Sequence, residues 1–119
     1  YQRVTQVSHA LKNLALDLEV TVLALAQLNR TAAEDKPPTL EDLKSSGAIE
    51  EDSDIVLLLH RPDYYAVRKG KPQELEEVAN VFVAKNKMGP VTQANLMFCP
   101  RYAEFSDTSQ ASRLMRGFR

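Results

Sequence analysis

The sequence predicts an α/β fold, and three stretches of the chain carry that prediction. Apolar residues recur at three- and four-residue steps from Val4 to Leu18, which is typical of an amphipathic helix. The runs 20–26 (VTVLALA) and 54–60 (DIVLLLH) are almost continuously apolar, as in strands that helices cover on both faces. A helix followed directly by a buried strand favours a helix-covered sheet.

The first helix should pack on that sheet through its apolar stripe, with its charged and amide side chains turned to solvent. The strand 20–26 then ends in the polar Gln27. From 29 to 39 the chain is polar and contains two adjacent prolines, which predicts a loop. The stripe consists of Val4, Val7, Leu11, Leu14, Ala15 and Leu18, and the outward positions are Arg3, Gln6, Lys12, Asn13 and Asp17.

The second half of the chain predicts a short helix, further strands and a polar tail. Thr39 is a typical N-cap, so we expect a helix from there to about Ser46 that ends at Gly47. The charged stretch 68–77 predicts an exposed, mobile connection. The remaining strands are expected at 78–85, 92–99 and 101–105, the last two antiparallel at a sheet edge after a turn at 88–90, and the basic tail 106–119 is flexible or binds a partner.

Composition excludes several classes of protein. A chain of 119 residues forms one domain or part of one, and 44% hydrophobic residues is too many for a disordered protein. A net charge of -1 means that any nucleic-acid site must be local. One cysteine, Cys99, and two histidines argue against a disulfide framework and a structural metal. No apolar run is long enough to span a bilayer, so we expect a cytoplasmic protein without a membrane partner.

Polar side chains follow three of the predicted strands, which are ligand-facing positions when such strands are parallel. The groups are Gln27 with Asn29 and Arg30, then Arg61, then Lys85 with Lys87. An amide can hold a phosphate oxygen without becoming charged, and lysines can neutralise a transferring phosphoryl group. The alternative is that Gln27 only caps a strand and that the lysines are solvated.

The segment 39–54 (TLEDLKSSGAIEEDSD) holds a second candidate site. Backbone N–H groups near Ser45, Ser46 and Gly47, with the Lys44 ammonium beside them, could grip a phosphate. The alternative is an ordinary helix C-cap at Gly47. The acidic residues that follow are expected to form a solvated face rather than a metal site, and they are Glu50, Glu51, Asp52 and Asp54.

Several catalytic motifs are absent from the sequence. No phosphate-binding loop of the form GxxxxGK[ST] occurs, since glycine stands only at positions 47, 70, 89 and 117. There is also no HExxH motif and no Ser-His-Asp arrangement with supporting context. The chain by itself therefore lacks the loop that cradles a triphosphate.

Three motifs in one order resemble a known family. They are QLNR at 27–30, the pattern LxxSGxIExDxDIV at 43–56 and AKNKMGP at 84–90. Over about residues 4–105 the chain resembles the last part of the RecA-like motor domain of DnaB-type helicases. The resemblance implies a partial RecA-like P-loop ATPase core, with a mixed sheet, antiparallel edge strands and its phosphate-loop half missing. Residues 1–105 would be the motor-domain part and 106–119 a flexible basic tail.

The same resemblance implies a function for the intact protein. DnaB-type helicases are homo-hexameric rings that encircle single-stranded DNA, move along it by hydrolysing ATP with Mg²⁺ between neighbouring subunits, and unwind duplex DNA. A primase and a helicase loader would be further partners, in the cytoplasm of a bacterial or phage-infected cell. The roles implied are a phosphate sensor at Gln27, contacts in trans with the neighbouring subunit's nucleotide from Lys85 and Lys87, and DNA contacts from Lys44, Ser45, Gly47 and Arg30.

Two features depart from the family pattern. Arginine is usual where Lys87 stands, and arginine and glutamate are common at positions 44 and 45, where this chain has lysine and serine. Lysine lacks the planar fork with which arginine binds two oxygens. The residues also leave open another RecA-like ATPase, such as a recombinase, or a non-catalytic DNA-binding or ring-scaffold module. A phosphate loop upstream in the gene would favour the enzyme.

We expect the 119-residue chain alone neither to bind nor to hydrolyse ATP appreciably. The reason is that the N–H groups of a phosphate loop and a magnesium ligand supply most of the grip on a triphosphate. Isothermal titration calorimetry with ATP and Mg²⁺ measures this. Tight magnesium-dependent binding by this chain would contradict the expectation.

Overall fold

A computed structural model describes residues 2–28 and 36–107, with the side chains of 44–46 left out. The α/β fold is confirmed, because helices and one four-stranded sheet alternate along the described chain. The elements are α1 (Gln2–Leu18), a 3-10 helix (Leu40–Ser46), α2 (Gly47–Asp52), β1 (Ile55–His60), α3 (Pro62–Arg68), β2 (Glu77–Asn86), β3 (Thr92–Cys99) and β4 (Glu104–Asp107). No helix among the described residues is long and apolar enough to cross a membrane.

Helix α1 packs on α2 rather than on a sheet, which corrects the predicted partner. The residues turned toward the fold are Thr5, Ser8, Leu11, Lys12 and Ala15, whereas Val7, Leu14 and Leu18 are 57%, 44% and 62% exposed. Lys12, predicted to point to solvent, reaches Asp54. The apolar stripe predicted from the sequence is present, but the described residues provide no layer that covers it.

The predicted strand 20–26 is not a strand in the structure. Leu23 and Leu25 are 83% and 93% exposed, and only Leu28, just beyond the run, packs against the core. A strand that is buried on both faces needs neighbouring strands to satisfy its backbone groups and helices to cover its side chains. Among the described residues neither is provided, and this explains why the apolar pattern does not produce a strand here.

The segment from Thr39 to Asp52 is continuously helical. The N–H of Thr39 donates to Asp42 Oδ2 at 2.8 Å, which confirms Thr39 as the start of a short helix, although its geometry is 3-10. Gly47 does not end that helix, because its φ of -50° and ψ of -32° are right-handed helical values and it is the first residue of α2. The helix C-cap interpretation of Gly47 is therefore wrong.

The four strands pair in sequence order, β1-β2-β3-β4, and every pair is antiparallel. In the first pair Ile55 lies opposite Asn86 and His60 opposite Asn80, with a bulge beside Val56. Strand β3 has its predicted bounds, whereas β4 begins three residues later than predicted. Since β1 and β2 run in opposite directions, the polar groups that follow them lie at opposite ends of the sheet, contrary to the expectation from parallel strands.

Helix α3 is not predicted by the sequence, because the charged and proline-containing residues around it are typical of a loop. Pro62 stands at the first turn of α3, where its missing N–H costs nothing. Gly70 then has a φ of +104°, a conformation that favours glycine, and donates its N–H to Val67 O at the helix end. The exposed connection predicted at 68–77 is thus shortened at both ends, and its last residue, Glu77, is 2% exposed.

The main core lies on one face of β1, between the sheet and the helical segment 40–52. It consists of Leu43, Val56 and Leu58, with Leu28, Leu40, Phe82 and Ala84 packed against them. The alternate residues of β1 are about half exposed, so the strand is buried on one face and not on two as its sequence predicted. This one-sided burial fixes the face of the sheet against which α2 sits.

Two neighbouring leucines of β1 test this burial. Leu58 is 3% exposed and Leu57 is 56% exposed. We expect Leu58→Ala to lower the free energy of unfolding of the chain by about 2–5 kcal/mol, because transfer and cavity costs add, and Leu57→Ala to lower it much less. Urea unfolding followed by circular dichroism measures both, and equal decreases would contradict the one-sided core.

Candidate functional site

The residues predicted to follow strands are separated by the fold into three places. Arg61 lies at one end of the sheet, where its Nε donates to Glu77 Oε1 and its guanidinium lies 4.3 Å from the centre of the Phe98 ring. Lys85 and Lys87 lie at the opposite end. Arg61 is thus held by a buried carboxylate and an aromatic ring, which indicates a structural role rather than a ligand-binding one.

Gln27 lies in the irregular segment after α1, in an exposed position. Its neighbour Leu28 packs against the core cluster, which keeps this part of the chain beside the helical segment 40–52. Arg30 lies outside the described residues, as does Asn29. The fold therefore brings Gln27 close to the helical cover of the sheet, and its role as a phosphate sensor stays a prediction.

The side chain of Lys85 is occupied by the end of α2. Its Nζ donates to Glu50 O at 2.6 Å and to Glu51 O at 3.4 Å. The last carbonyls of a helix have no partner within the helix, and a cation near them is favoured by the helix dipole. Lys85 therefore ties β2 to α2.

Lys87 stands one residue beyond β2 and is bound at both ends to Asp54. Its backbone N–H donates to Asp54 O at 3.0 Å, and its Nζ lies 3.4 Å from Asp54 Oδ1. The side chain of Lys87 is 50% exposed. In this position the ammonium is folded back onto its own chain, and it is held only by a carboxylate that is itself largely exposed.

Asp54 also accepts hydrogen bonds from α1. Lys12 Nζ donates to Asp54 Oδ1 at 2.8 Å and to Oδ2 at 2.9 Å. The hydrogen bond from Lys12, and after it the bond from Lys87, lowers the pKa of Asp54 below its ordinary value. The carboxylate is consequently ionised at neutral pH and joins α1, β1 and the end of β2.

A second carboxylate, Asp52, fixes α1 to the end of α2. Ser8 Oγ donates to Asp52 Oδ2 at 2.8 Å, and His9 Nδ1 lies 2.6 Å from the same oxygen. The hydrogen bond from Ser8 is the largest cause that lowers the pKa of Asp52, and the contacts with His9 lower it further. The predicted solvated acidic face is thus partly an interface, with Asp52 and Asp54 turned to α1.

The sequence does not reveal Lys12 and Asp54 as parts of the site. The one available signal is the four-residue step between Ser8 and Lys12, which places two polar groups on one face of α1. A pattern that directs the apolar stripe to the sheet directs this polar face to solvent. The exclusion of a metal site at the acidic residues agrees with the described residues, where no group of three or more potential ligands occurs.

Of the predicted DNA-contact residues, the structure describes Gly47 fully and only the backbone of Lys44 and Ser45. These two residues are in the 3-10 helix, and Gly47 begins α2 directly after it. A Cβ added at Gly47 would meet nothing within 4 Å. The segment therefore leads without interruption from the predicted DNA contacts to the carbonyls that hold Lys85.

The described residues do not form a nucleotide site of their own. No phosphate-binding loop occurs in the sequence, and the cations that could meet a phosphate, Lys85 and Lys87, are a single pair at one end of the sheet. The arrangement can contribute positive charge to a phosphate bound elsewhere. It does not provide ligands for Mg²⁺ within 2–28 and 36–107.

Known proteins resemble this chain in sequence and in structure. A family model described as the DnaB-like helicase C terminal domain matches residues 1–107. The replicative DNA helicase DnaB of Geobacillus stearothermophilus is 42% identical over 106 residues, which are 87% of this chain and 22% of the relative. The DnaB of Leifsonia xyli is 44% identical over 108 residues, 89% of this chain and 23% of the relative.

Two solved structures share the fold. One is an isolated ATPase domain, which matches with a TM-score of 0.76 and 36% identity, over 91% of this chain and 37% of that one. The other is a DnaB-like replicative helicase, solved in a study of its interactions with primase, which matches with a TM-score of 0.73 and 36% identity, over 88% of this chain and 25% of that one. The chain spans less than a quarter of the curated relatives' length, and it belongs to the DnaB-like helicase C-terminal domain family.

Proposed function

We propose that the intact protein is an ATP-dependent replicative DNA helicase that works as a hexameric ring on single-stranded DNA and unwinds duplex DNA. The observation that carries the proposal is the family match over 1–107 together with 42% and 44% identity to replicative helicases. These relatives favour the helicase over the recombinase-like and non-catalytic alternatives. ATP is the substrate, and its phosphate loop and Mg²⁺ ligands belong to parts of the protein other than the described residues.

Lys87 is the better of the two candidates for a cation that acts in the neighbouring subunit's site. Its side chain is half exposed and is held by a surface ion pair, which is a weak interaction in water. Lys85 is bound to backbone carbonyls of α2 and would have to break a link between two elements to move. We therefore assign the contact with the terminal phosphate to Lys87, and the anchoring of β2 to Lys85.

The DNA contacts are proposed for the segment that includes Lys44, Ser45 and Gly47, with Arg30 near it. Support comes from the pattern LxxSGxIExDxDIV and from the continuity of this segment with α2. Gln27 precedes Leu28, which packs on the same helical cover, so a sensor there would be connected to the DNA segment through the core.

Further assignments rest on the family resemblance. We propose that 1–105 belong to the motor domain and that 106–119 form a flexible basic tail, of which 108–119 lie outside the described residues. Primase is a proposed partner because the name of one structural neighbour includes it, and a helicase loader is proposed with it. The proposed compartment is the cytoplasm of a bacterial or phage-infected cell.

We expect Lys87→Ala in the intact helicase to give rings that assemble and bind ATP but turn it over slowly. A cation that stabilises charge developing during phosphoryl transfer raises kcat more than it raises affinity, so kcat should fall by about 100-fold or more with a smaller change in nucleotide binding. Steady-state ATPase assays with single-stranded DNA and a fluorescent-nucleotide binding assay separate the two effects.

Mixing experiments then test whether Lys87 acts in trans. Lys87→Ala subunits mixed with subunits disabled in their phosphate loop should regain part of the activity, because each variant spoils a different half of a shared site. Lys71→Ala is the matched control, since Lys71 also pairs with an aspartate across 3.3 Å but lies beyond α3. Parental hydrolysis by Lys87→Ala would make Lys85 the candidate instead.

The DNA segment is tested by Lys44→Ala and Gly47→Ala. Lys44→Ala should weaken binding of single-stranded DNA and reduce the slope of log affinity against log salt by about 0.7 for each phosphate that is no longer bound. Gly47→Ala leaves the fold intact, because its φ is helical and the added methyl meets open space, so weaker DNA binding in this variant would come from a close approach of DNA. Unchanged binding and slope in both variants would remove this segment from the DNA interface.

A further inference from the structure

The side chain proposed to act on a neighbouring subunit is, in this structure, turned away from such a task. The Nζ of Lys87 lies 3.4 Å from Asp54 Oδ1, while the N–H of Lys87 is bound to the carbonyl of the same residue at 3.0 Å. The backbone bond fixes the base of the Lys87 side chain, and the carboxylate bends its tip back. Lys87 has to leave Asp54 before its ammonium can reach another molecule.

Lys12 makes that departure inexpensive. It donates to both oxygens of Asp54, at 2.8 and 2.9 Å, and it comes from a different element, α1. When Lys87 leaves, the carboxylate therefore keeps a cationic partner and is not left with an uncompensated charge. Both lysines lower the pKa of Asp54, with Lys12 as the larger contributor, which agrees with its closer contacts.

We propose that Asp54 is a positioning residue that holds Lys87 in a withdrawn position, and that Lys12 is the substitute partner that allows Lys87 to be released toward the neighbouring nucleotide. The proposal rests on the function proposed above for Lys87. It adds a restraint on basal ATP hydrolysis, meaning hydrolysis without DNA, which is relieved when the terminal phosphate of the neighbouring subunit outcompetes a single surface carboxylate.

The strength of this restraint follows from its exposure. The side chains of Lys87 and Asp54 are 50% and 59% exposed, so their attraction is screened by water and by salt. A pair of this kind changes an equilibrium by at most about five-fold. A terminal phosphate, with its higher charge, can displace such a partner, whereas the Lys85 contacts with α2 would stay in place.

The test uses the intact hexameric helicase and compares basal ATP hydrolysis of several variants. Asp54→Asn keeps the shape of the side chain and removes its charge, so kcat without DNA should rise by about two- to five-fold with KM little changed. Asp54→Glu retains the charge and should stay near the parental rate. Lys12→Gln removes the substitute partner and should lower the basal rate, opposite in sign to Asp54→Asn.

Three controls separate a restraint from a general loosening of the fold. Asp63→Asn removes a comparable carboxylate, 3.3 Å from Lys71, and should leave the basal rate unchanged. Asp54→Asn combined with Lys87→Ala should hydrolyse ATP at the rate of Lys87→Ala alone, because the effect passes through Lys87. Raising the salt concentration should increase the parental basal rate relative to that of Asp54→Asn, because salt screens the pair.

The outcomes distinguish this inference from the function on which it rests. If Lys87→Ala is slow but Asp54→Asn hydrolyses ATP at or below the parental rate, the restraint is refuted and the role of Lys87 stands. If Asp54→Asn accelerates hydrolysis equally in the Lys87→Ala background, Asp54 acts through another group and the restraint is also refuted. If Lys87→Ala is as fast as the parent, the proposed role of Lys87 fails and the restraint fails with it.

Discussion

The Asp54 carboxylate is the point at which the helical layer and the sheet are joined. It lies at the junction between α2 and β1, binds Lys12 of α1, and is linked to the end of β2 through both the backbone and the side chain of Lys87. Without this junction α1 would be held mainly by Asp52, and nothing at residue 54 would set the direction of the turn after β2. The positions of both candidate phosphate-contacting lysines therefore depend on the geometry at one residue.

The other constraint on the structure is that its apolar surfaces are only half used. One face of β1 supports the core, while the stripe on α1, the run 20–26 and the opposite face of β1 remain largely exposed. Apolar faces of this extent are typical of surfaces that become buried. They agree with a chain that spans less than a quarter of the length of its relatives, in which the remainder of a motor domain is available to cover them.

The success of sequence-based prediction follows the same division. Strands β2 and β3 and the turn between them agree closely with prediction, because alternation and a Met-Gly-Pro turn are local signals that hairpin pairing satisfies within the chain. The strand 20–26 is wrong because its pattern encodes burial that the described residues do not supply. Helix α3 and the helical Gly47 escape prediction for another reason: proline and glycine are typical of loops, and only tertiary contacts decide when they start a helix.

The candidate site is predictable in composition but not in arrangement. The position of Lys85 and Lys87 after a strand identifies the pair, yet the two side chains differ in what holds them, carbonyls for one and a carboxylate for the other. Nothing in the pattern AKNKMGP distinguishes them, because their partners, Glu50, Glu51 and Asp54, lie far earlier in the chain. Likewise, the antiparallel pairing that separates Arg61 from the lysines is a property of topology and not of either strand.

The lysine at position 87, where relatives usually have arginine, fits the contacts around Asp54. Lys12 already donates to both oxygens of that carboxylate, which leaves room for one further donor at Oδ1 and not for a planar fork that needs both. An arginine at this position would compete with Lys12 for the same two oxygens and would be bound more tightly if it displaced it. A lysine meets Asp54 through one bond, keeps Lys12 in place, and is correspondingly easier to release.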